Sequence, residues 1–551
     1  MSDISNETIA AAEAVLGVRY SESERTLMRD NLAPQIENAR RRRALVFANS
    51  LGPATRFDPR LPGFQAPPPG PSPVWQDRAV QPLPDSHEDI AFAPVHTLSG
   101  WIRSGVLTSR RLVGICLDRI ERLAGPLECF VTVTGDRALA EADAMDAMTR
   151  AGHWQGPLHG IPYALKDLFD ARETRTTWGA EPFQERIATD DAAVVTRLRQ
   201  AGAVLLGKST VGALAYGDIW FAGKTRNPWN LNEGASGSSA GSAAATAAGL
   251  CAFSIGTETL GSITSPSERC GTTGLRPTFG RVSRAGGMAL CWSLDKVGPI
   301  CRTVEDTGFV LAALNGGDAA DPGSIDMPFN HDATQPPQGL RLGWLPEAYE
   351  GDDVTDVDRQ ALDAVRSLFP SIREVGLPDL PYDTLIAVLY AEAAAAFENL
   401  TLDDIDDTLT RQDEGAWPNA FRKARFLSAV DHVQFDRLRR LAMEALDRLF
   451  MEVDVLVGPF STGPMLVASN FTGHPCLHLR CGFEDLATRS ELSLAEGRLE
   501  LGHATASERT FTVPRGLSLW AGLFHESHLL HVGECLERLF DVHHRRPTLA
   551  T

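Results

Sequence analysis

No stretch of this 551-residue sequence approaches the ~18 uninterrupted apolar residues that a membrane-crossing helix requires. The small-residue run from Gly241 to Gly249 is too short and too small-sided for that role. Basic charge is also scarce, with 52 Lys and Arg against 71 Asp and Glu, a formal net charge of −19. General attraction to phosphate backbones or anionic membranes is therefore not expected. The nine cysteines are odd in number and lack CxxC spacing, which fits a reducing cytoplasm better than a disulfide framework. Met1-Ser2-Asp3-Ile4-Ser5-Asn6-Glu7 has no basic region followed by an apolar core, so no secretory signal is expected. What is present is globular: 43% hydrophobic and 22% charged residues, enough to bury a core of enzyme size.

Residues Glu7 to Leu45 read as helix, with Ile9, Ala12, Val15 and Leu16 in one apolar stripe and Leu27, Met28, Leu32 and Ile36 in a second. Arg40 to Arg43 read as a basic last turn that suits the helix dipole rather than as a nucleic-acid patch. Pro53, Pro59, Pro62, Pro67, Pro68, Pro69, Pro71 and Pro73 then make a stiff linker that excludes helix and sheet. The expected organisation is a small helical N-terminal module (1–50), a Pro-rich linker (51–86) and a main body (87–545). Within that body 318–451 reads as a variable region, loop-like at first and helical from Asp356 to Met451.

From His87 onward helices and strands alternate. Helices are expected over Ser104–Leu123, Asp136–Thr149, Asp190–Ala201 and Glu526–Leu539. Strands are expected over Cys129–Thr134, Gly160–Asp170, Ala203–Leu206 and Asp454–Val457. Such alternation predicts an α/β fold, a large mixed β-sheet covered by helices on both faces.

Three motifs mislead. Gly202 to Ser209 satisfies GxxxxGK[ST], yet Ala203–Leu206 reads as a strand rather than a flexible phosphate cradle. Gly237-Ser238-Ser239-Ala240-Gly241 matches the GxSxG elbow, but the polar stretch Asn227–Ser236 before it is no hydrophobic strand. His525, His528 and His531 lack HExxH spacing and read as a helix surface, so no metal site is expected there.

The chemistry concentrates in three residues. Lys166 closes the apolar stretch Gly160-Ile161-Pro162-Tyr163-Ala164-Leu165, where a lysine can lose its proton and act as a base. Ser238 lies in a run of small residues feeding a helix, and Ser262 in Gly256-Thr257-Glu258-Thr259-Leu260-Gly261-Ser262-Ile263, where a strand ends in a tight turn. A serine is a poor nucleophile until a base takes its proton. Small residues let backbone N–H groups approach a developing oxyanion, each preorganised donor contributing ~3–4 kcal/mol. A hydroxyl both donates and accepts, so a serine-to-serine relay suits the task.

Gly160-Ile161-Pro162, Lys166-Asp167, Thr225-Arg226-Asn227-Pro228-Trp229-Asn230, Gly237-Ser238-Ser239 and Gly241-Ser242-Ala243 occur here in order. Gly256-Thr257, Gly261-Ser262-Ile263, Cys270-Gly271, Gly274-Leu275-Arg276-Pro277-Thr278, Gly280-Arg281-Val282-Ser283, Ser293-Leu294-Asp295 and Gly298-Pro299 follow. This series resembles the amidase signature family of serine hydrolases, and Gly473-His474-Pro475 and Phe524-His525-Glu526 resemble its closing segments. The resemblance runs from about His87 to Leu539 and implies the amidase signature fold. It also implies Ser262 as nucleophile, Ser238 as a bridging serine held through a cis peptide, and Lys166 as base. Backbone N–H groups of Thr259, Leu260, Gly261 and Ser262 match the oxyanion hole.

The implied reaction is cleavage of the C–N bond of an amide or carbamate through an acyl-enzyme, with no metal or organic cofactor. A small to medium hydrophobic or aromatic amide is the expected substrate. Trp220, Phe221 and Trp292 are candidate pocket walls, and the 318–451 region and the loop Gly217–Lys224 are expected to set specificity. Departures from the family pattern are Ser236, Ala240 and Leu260 where Gly is common, Glu258 for Asp, and Thr264 for Arg. Neither nucleic acid nor membrane is expected as a partner, and a homodimer is left open. The alternatives are an ester or urethane hydrolase using the same site, the amidating subunit of a tRNA-dependent amidotransferase, and a binding protein with a silenced site.

Overall fold

The computed structural model describes residues 4–68, 70, 78–332, 339–351, 354–460, 464–489, 491–495, 498–502 and 509–549. Its centre is an eleven-stranded mixed sheet. In chain order the strands are β1 (Phe130–Val133), β2 (Pro162–Lys166), β3 (Val204–Ser209), β4 (Phe253–Glu258), β5 (Thr273–Arg276) and β6 (Lys296–Cys301). They continue as β7 (Leu342–Trp344), β8 (Arg373–Glu374), β9 (Val455–Pro459), β10 (Cys476–Leu486) and β11 (Phe511–Ala521). Their spatial order is β1-β3-β2-β4-β6-β5-β10-β11-β9-β7-β8. Strand β2 runs parallel to both β3 and β4, with Leu165 opposite Lys208 and Ile255. From β4 through β6, β5, β10 and β11 to β9 the pairing is antiparallel.

Sequence explains this centre. β2 and β3 are buried along their whole length, as continuous apolar runs covered on both faces should be. Helix Ala240–Ala247 is buried throughout and lies against β2, β3 and β4. A Cβ on Gly241 would come within 2.5 Å of the Cys129 carbonyl oxygen, so only a small-residue helix can pack this close. Lys166 ends β2, and the chain leaves β4 at Glu258, four residues before Ser262. The three chemistry-bearing residues thus gather at the carboxyl ends of two neighbouring parallel strands, where open α/β sheets bind ligands.

Some expectations shift. The single helix expected over Glu7–Leu45 is two, Asn6–Leu16 and Glu22–Arg43, because Gly17 ends the first in the left-handed conformation and Ser21 caps the second. The helix expected from Ser104 starts at Ser109, capped by Thr108, after a separate helix Val95–Arg103. Nothing in the periodicity marks β10 and β11, because Arg480, Glu484 and Asp485 in one and Pro514 and Arg515 in the other break the apolar pattern. The Pro-rich stretch has no helix or strand among its described residues, yet it lies on the body. Phe57 packs edge-on to Phe279 at 5.1 Å, and the Arg439 guanidinium lies 3.5 Å from the Phe57 ring centre. Pro69, Pro71 and Pro73 lie outside the described residues.

Candidate active site

Lys166 is fully buried at the end of β2. Its Nζ lies 2.8 Å from Ser238 Oγ, 2.9 Å from Ser239 Oγ and 2.8 Å from Thr257 Oγ1, with the Thr257 carbonyl oxygen at 3.2 Å. None of these partners is a carboxylate. Burial therefore holds the amine well below the usual lysine range, against the weaker pull of Asp295 and Glu258. An uncharged Nζ surrounded by hydroxyls can accept a proton from one of them. The Gly237–Ser238 peptide is cis.

Ser262 sits in the turn between β4 and helix Thr264–Cys270 and is 8% exposed. Among the described residues its Oγ has no hydrogen-bond partner, while its carbonyl oxygen accepts from Ser239 N at 3.2 Å. Of the two contacts expected of a Lys166–Ser238–Ser262 relay, the first is a hydrogen bond in this structure and the second is not. The backbone N–H groups of Thr259, Leu260, Gly261 and Ser262 likewise donate to no described protein group.

Glu258 holds this turn in shape. Its Oε2 accepts from Ile263 N at 2.9 Å and Thr264 N at 3.0 Å, and Thr264 Oγ1 adds a third bond. Its Oε1 takes Arg276 and Asn470. Thr264 therefore serves the glutamate rather than the substrate. On the other flank, Thr259 Oγ1 donates to Asp295 Oδ1 at 2.6 Å, and Asp295 Oδ2 accepts from Leu290 N and Cys291 N.

The look-alike motifs are otherwise engaged. Val204–Ser209 is β3 itself, and Lys208 Nζ is spent on buried Asp167 at 2.9 Å. Ser239 follows a small hairpin, Arg226–Asn227 with Asn230–Gly234, that lies outside the main sheet. His531 Nε2 lies 2.9 Å from the Asp332 carbonyl oxygen.

A cavity of about 410 Å³ opens at Ser262, with Thr259 and Leu260 on its wall. Tyr216, Ile386, Leu389, Tyr390 and Trp417 form its apolar side, and Asp218 and Arg269 reach it as well. Trp220, Phe221 and Trp292 do not line it. The first two pack edge-on to each other at 4.9 Å on the hairpin Ile219–Trp220 and Gly223–Lys224. Trp292 borders a second cavity, about 480 Å³, which shares Ala215, Thr259 and Leu290 with the first and is also lined by Leu51, Gly52, Pro53, Thr55, Arg56 and Phe57 of the Pro-rich stretch. Sequence reasoning missed Tyr216, Tyr390 and Trp417, since nothing local distinguishes a cavity aromatic from a core one. It also missed Thr257, although Gly256-Thr257 belongs to the ordered series of motifs.

The family model described as Amidase matches residues 111–477. One component of the glutamyl-tRNA(Gln) amidotransferase of Chromohalobacter salexigens is 34% identical over 482 residues, covering 82% of this chain and 97% of that protein. The native peptide amidase from Stenotrophomonas maltophilia superimposes with a TM-score of 0.70 at 29% identity, covering 83% of this chain and 99% of that one. A bacterial aryl acylamidase of the amidase signature enzymes shares the fold at a TM-score of 0.67 and 21% identity, covering 83% and 99%.

These relatives correct one expectation. The absence of nucleic acid from this protein's partners does not stand when a relative aligned over nearly its whole length is named for a tRNA-linked reaction. Net charge describes one chain's general attraction to phosphate, and it says nothing about a component of an enzyme that handles an aminoacylated tRNA. Among the described residues no helix is long and apolar enough to cross a membrane. A family match spanning two-thirds of the sequence, on the fold its solved members share, establishes that this chain belongs to the amidase signature family.

Proposed function

We propose that this chain cleaves the C–N bond of an amide by acyl transfer to Ser262, with Ser238 as proton relay and Lys166 as base. The observation that carries this reading is the fully buried Lys166 amine 2.8 Å from Ser238 Oγ, beside a serine that faces a cavity. Ser262 Oγ attacks the carbonyl carbon while its proton passes to Ser238 and the Ser238 proton passes to Lys166. The negative charge on the carbonyl oxygen meets the N–H groups of Thr259 to Ser262. The relay run backwards protonates the departing nitrogen, the C–N bond breaks, and the acyl-enzyme remains for water to cleave. Substrate binding draws Ser238 and Ser262 into hydrogen-bond contact, since such bonds tighten in the reacting complex.

The apolar and aromatic side of the cavity supports a small to medium hydrophobic or aromatic amide, and the same step serves a carbamate or ester. All nine cysteines are unbonded, which supports a cytoplasmic setting.

Sequence similarity gives more weight to a second reading of the same site, the amidating subunit of a tRNA-dependent amidotransferase. Asp218 and Arg269 on the cavity wall support it, because a carboxylate and a guanidinium together suit the ammonium and carboxylate of an amino acid amide. Purified chain is to be offered glutamine and a panel of hydrophobic primary amides, alone and then with the other amidotransferase components and glutamyl-tRNA, with ammonia release measured. Brisk hydrolysis of the hydrophobic panel by the chain alone favours the hydrolase. Release from glutamine that depends on the added components favours the amidotransferase. Well-folded chain releasing no ammonia in either arm removes the shared reading.

A further inference from the structure

A third cavity, about 190 Å³, lies at the far end of the helix that follows Ser262, bordered by Cys270 and Gly271. Its wall carries Arg302, Arg480, Arg545, Arg546, His543 and His544, and no Asp or Glu. In a chain with net charge −19 such a concentration of guanidinium groups is unexpected. The topology assembles it: Arg302 follows β6, Arg480 lies in β10, and the other four come from the segment after the final helix Glu526–Phe540.

Little of this charge is cancelled. Arg546 pairs with Asp89 at 2.7 Å. Arg302 spends its terminal nitrogens on the carbonyl oxygens of Cys251, Thr246, Ala91 and Ala93, which do not neutralise it. Arg545 has no acidic partner among the described residues and lies 3.6 Å from the Phe483 ring centre. Arg480 is 9% exposed, donates to the Arg545 carbonyl oxygen at 3.2 Å, and leaves its buried Nε–H without an acceptor. The nearby Glu537 carboxyl compensates Arg480 only weakly, because burial pushes it up to about 8. Buried, unpartnered donors of this kind cost free energy unless a ligand satisfies them.

We propose that this cavity binds a small oxyanion, inorganic phosphate or a phosphate monoester, held chiefly by Arg480 and Arg545. Guanidinium groups match the paired oxygens of a phosphoryl group, and the absence of carboxylates on the wall removes competition. His543 and His544 also stand with Asp541 so that three ligand atoms lie within 4.8 Å of one another, but the neighbouring guanidiniums set the local field against a cation. The site is separate from Ser262 and stands independently of the reaction proposed there.

The test is isothermal titration of the full chain with inorganic phosphate and, in a parallel arm, phenyl phosphate, in chloride buffer at constant ionic strength. One saturable site per chain is expected, and the tighter of the two probes identifies free phosphate or a monoester as the source. The exposed variant Arg545→Gln should weaken binding about tenfold, a lost charge-assisted hydrogen bond, with amide turnover unchanged. Arg545→Glu should abolish binding while the thermal unfolding midpoint without phosphate stays put. No saturable heat at millimolar phosphate with either probe overturns the proposal, as does equal affinity in the wild type and both variants.

Discussion

Arg276 Nη1 donates to Glu258 Oε1 at 2.7 Å, and neither side chain reaches solvent. Because the other oxygen of Glu258 receives the N–H groups of Ile263 and Thr264, this ion pair ties the end of β4 to the turn that presents Ser262. Burial alone would raise the Glu258 carboxyl, but Arg276 and the backbone donors more than offset it and hold it down at about 2.

Replacing Glu258 by Gln should destabilise the fold by ~3–5 kcal/mol, because Arg276 is left buried and unpaired. Urea unfolding measures this. The pH dependence has a definite sign. A folded value of about 2 lies below the ~4.3 of an unfolded glutamate, so the stabilisation is complete above ~4.3 and is lost as pH falls toward 2. Glu258→Gln should flatten the stability curve within that window, and an unchanged acid slope would count against the pair's role.

Ser262→Ala should cut amide turnover by ~10⁴-fold or more and abolish labelling by a serine-directed fluorophosphonate. Mapping the labelled peptide in wild-type protein provides the check. A label found on Ser238 or Ser239 would move the nucleophile assignment.

Lys166→Met should leave a folded protein, because the side chain it replaces is fully buried and burial already disfavours its charged form. Acylation, followed in a single turnover, should fall by ~10³-fold or more. In wild type the acylation rate should rise with pH as Lys166 loses its proton and then level off, and the variant should lack that limb. Stability follows the same sign. The folded chain holds the Lys166 proton less tightly than the unfolded chain, so wild-type stability drops as pH falls below the ordinary lysine range. The variant should lose that dependence too. A normal single-turnover rate in folded Lys166→Met would remove the base role.

Leu260 and Trp417 shape the cavity at Ser262, and Trp417 is fixed by its Nε1–H donating to the Leu214 carbonyl oxygen at 3.1 Å. Trp417→Ala should raise KM for aromatic amides about tenfold with little change in kcat, and Leu260→Gly should admit bulkier acyl groups. Steady-state kinetics over a graded amide series separates these outcomes. Equal losses for every substrate would mean that these side chains do not set specificity.

Deleting residues before Leu45 should be tolerated better than deleting those before Arg60. Asn49 exchanges hydrogen bonds with both the N–H and the carbonyl of Ala289, and Phe57 is packed between Phe279 and Arg439. The longer deletion should lower the unfolding midpoint by several degrees and open the cavity beside Thr259. Identical melting of the two truncations would show that Asn49 and Phe57 contribute nothing.

Local pattern carried the α/β alternation and the strand that bears Lys166, expected over Gly160–Asp170 and found over Pro162–Lys166, because continuous apolar runs bounded by glycine have few other uses. It carried less at β10 and β11, whose arginines and acids point to partners far along the chain, such as Arg515 to Glu268 and Glu484. It also misjudged the aromatics. Trp220 and Trp292 carry the same side chain as Trp417, and only the fold decides which one faces Ser262.

By itself, then, the sequence determined the family, the α/β alternation around Lys166, and the small residues around Lys166, Ser238 and Ser262. Those features are written in neighbours a few positions apart. Tertiary structure alone decided that Lys166 is buried with hydroxyls and a carbonyl as its hydrogen-bond partners, that Tyr216, Tyr390 and Trp417 meet across one cavity, and that Phe57 packs on the body. Each depends on groups brought together from distant parts of the chain. Burial and electrostatic environment are properties of that assembled neighbourhood, so no local pattern can specify them.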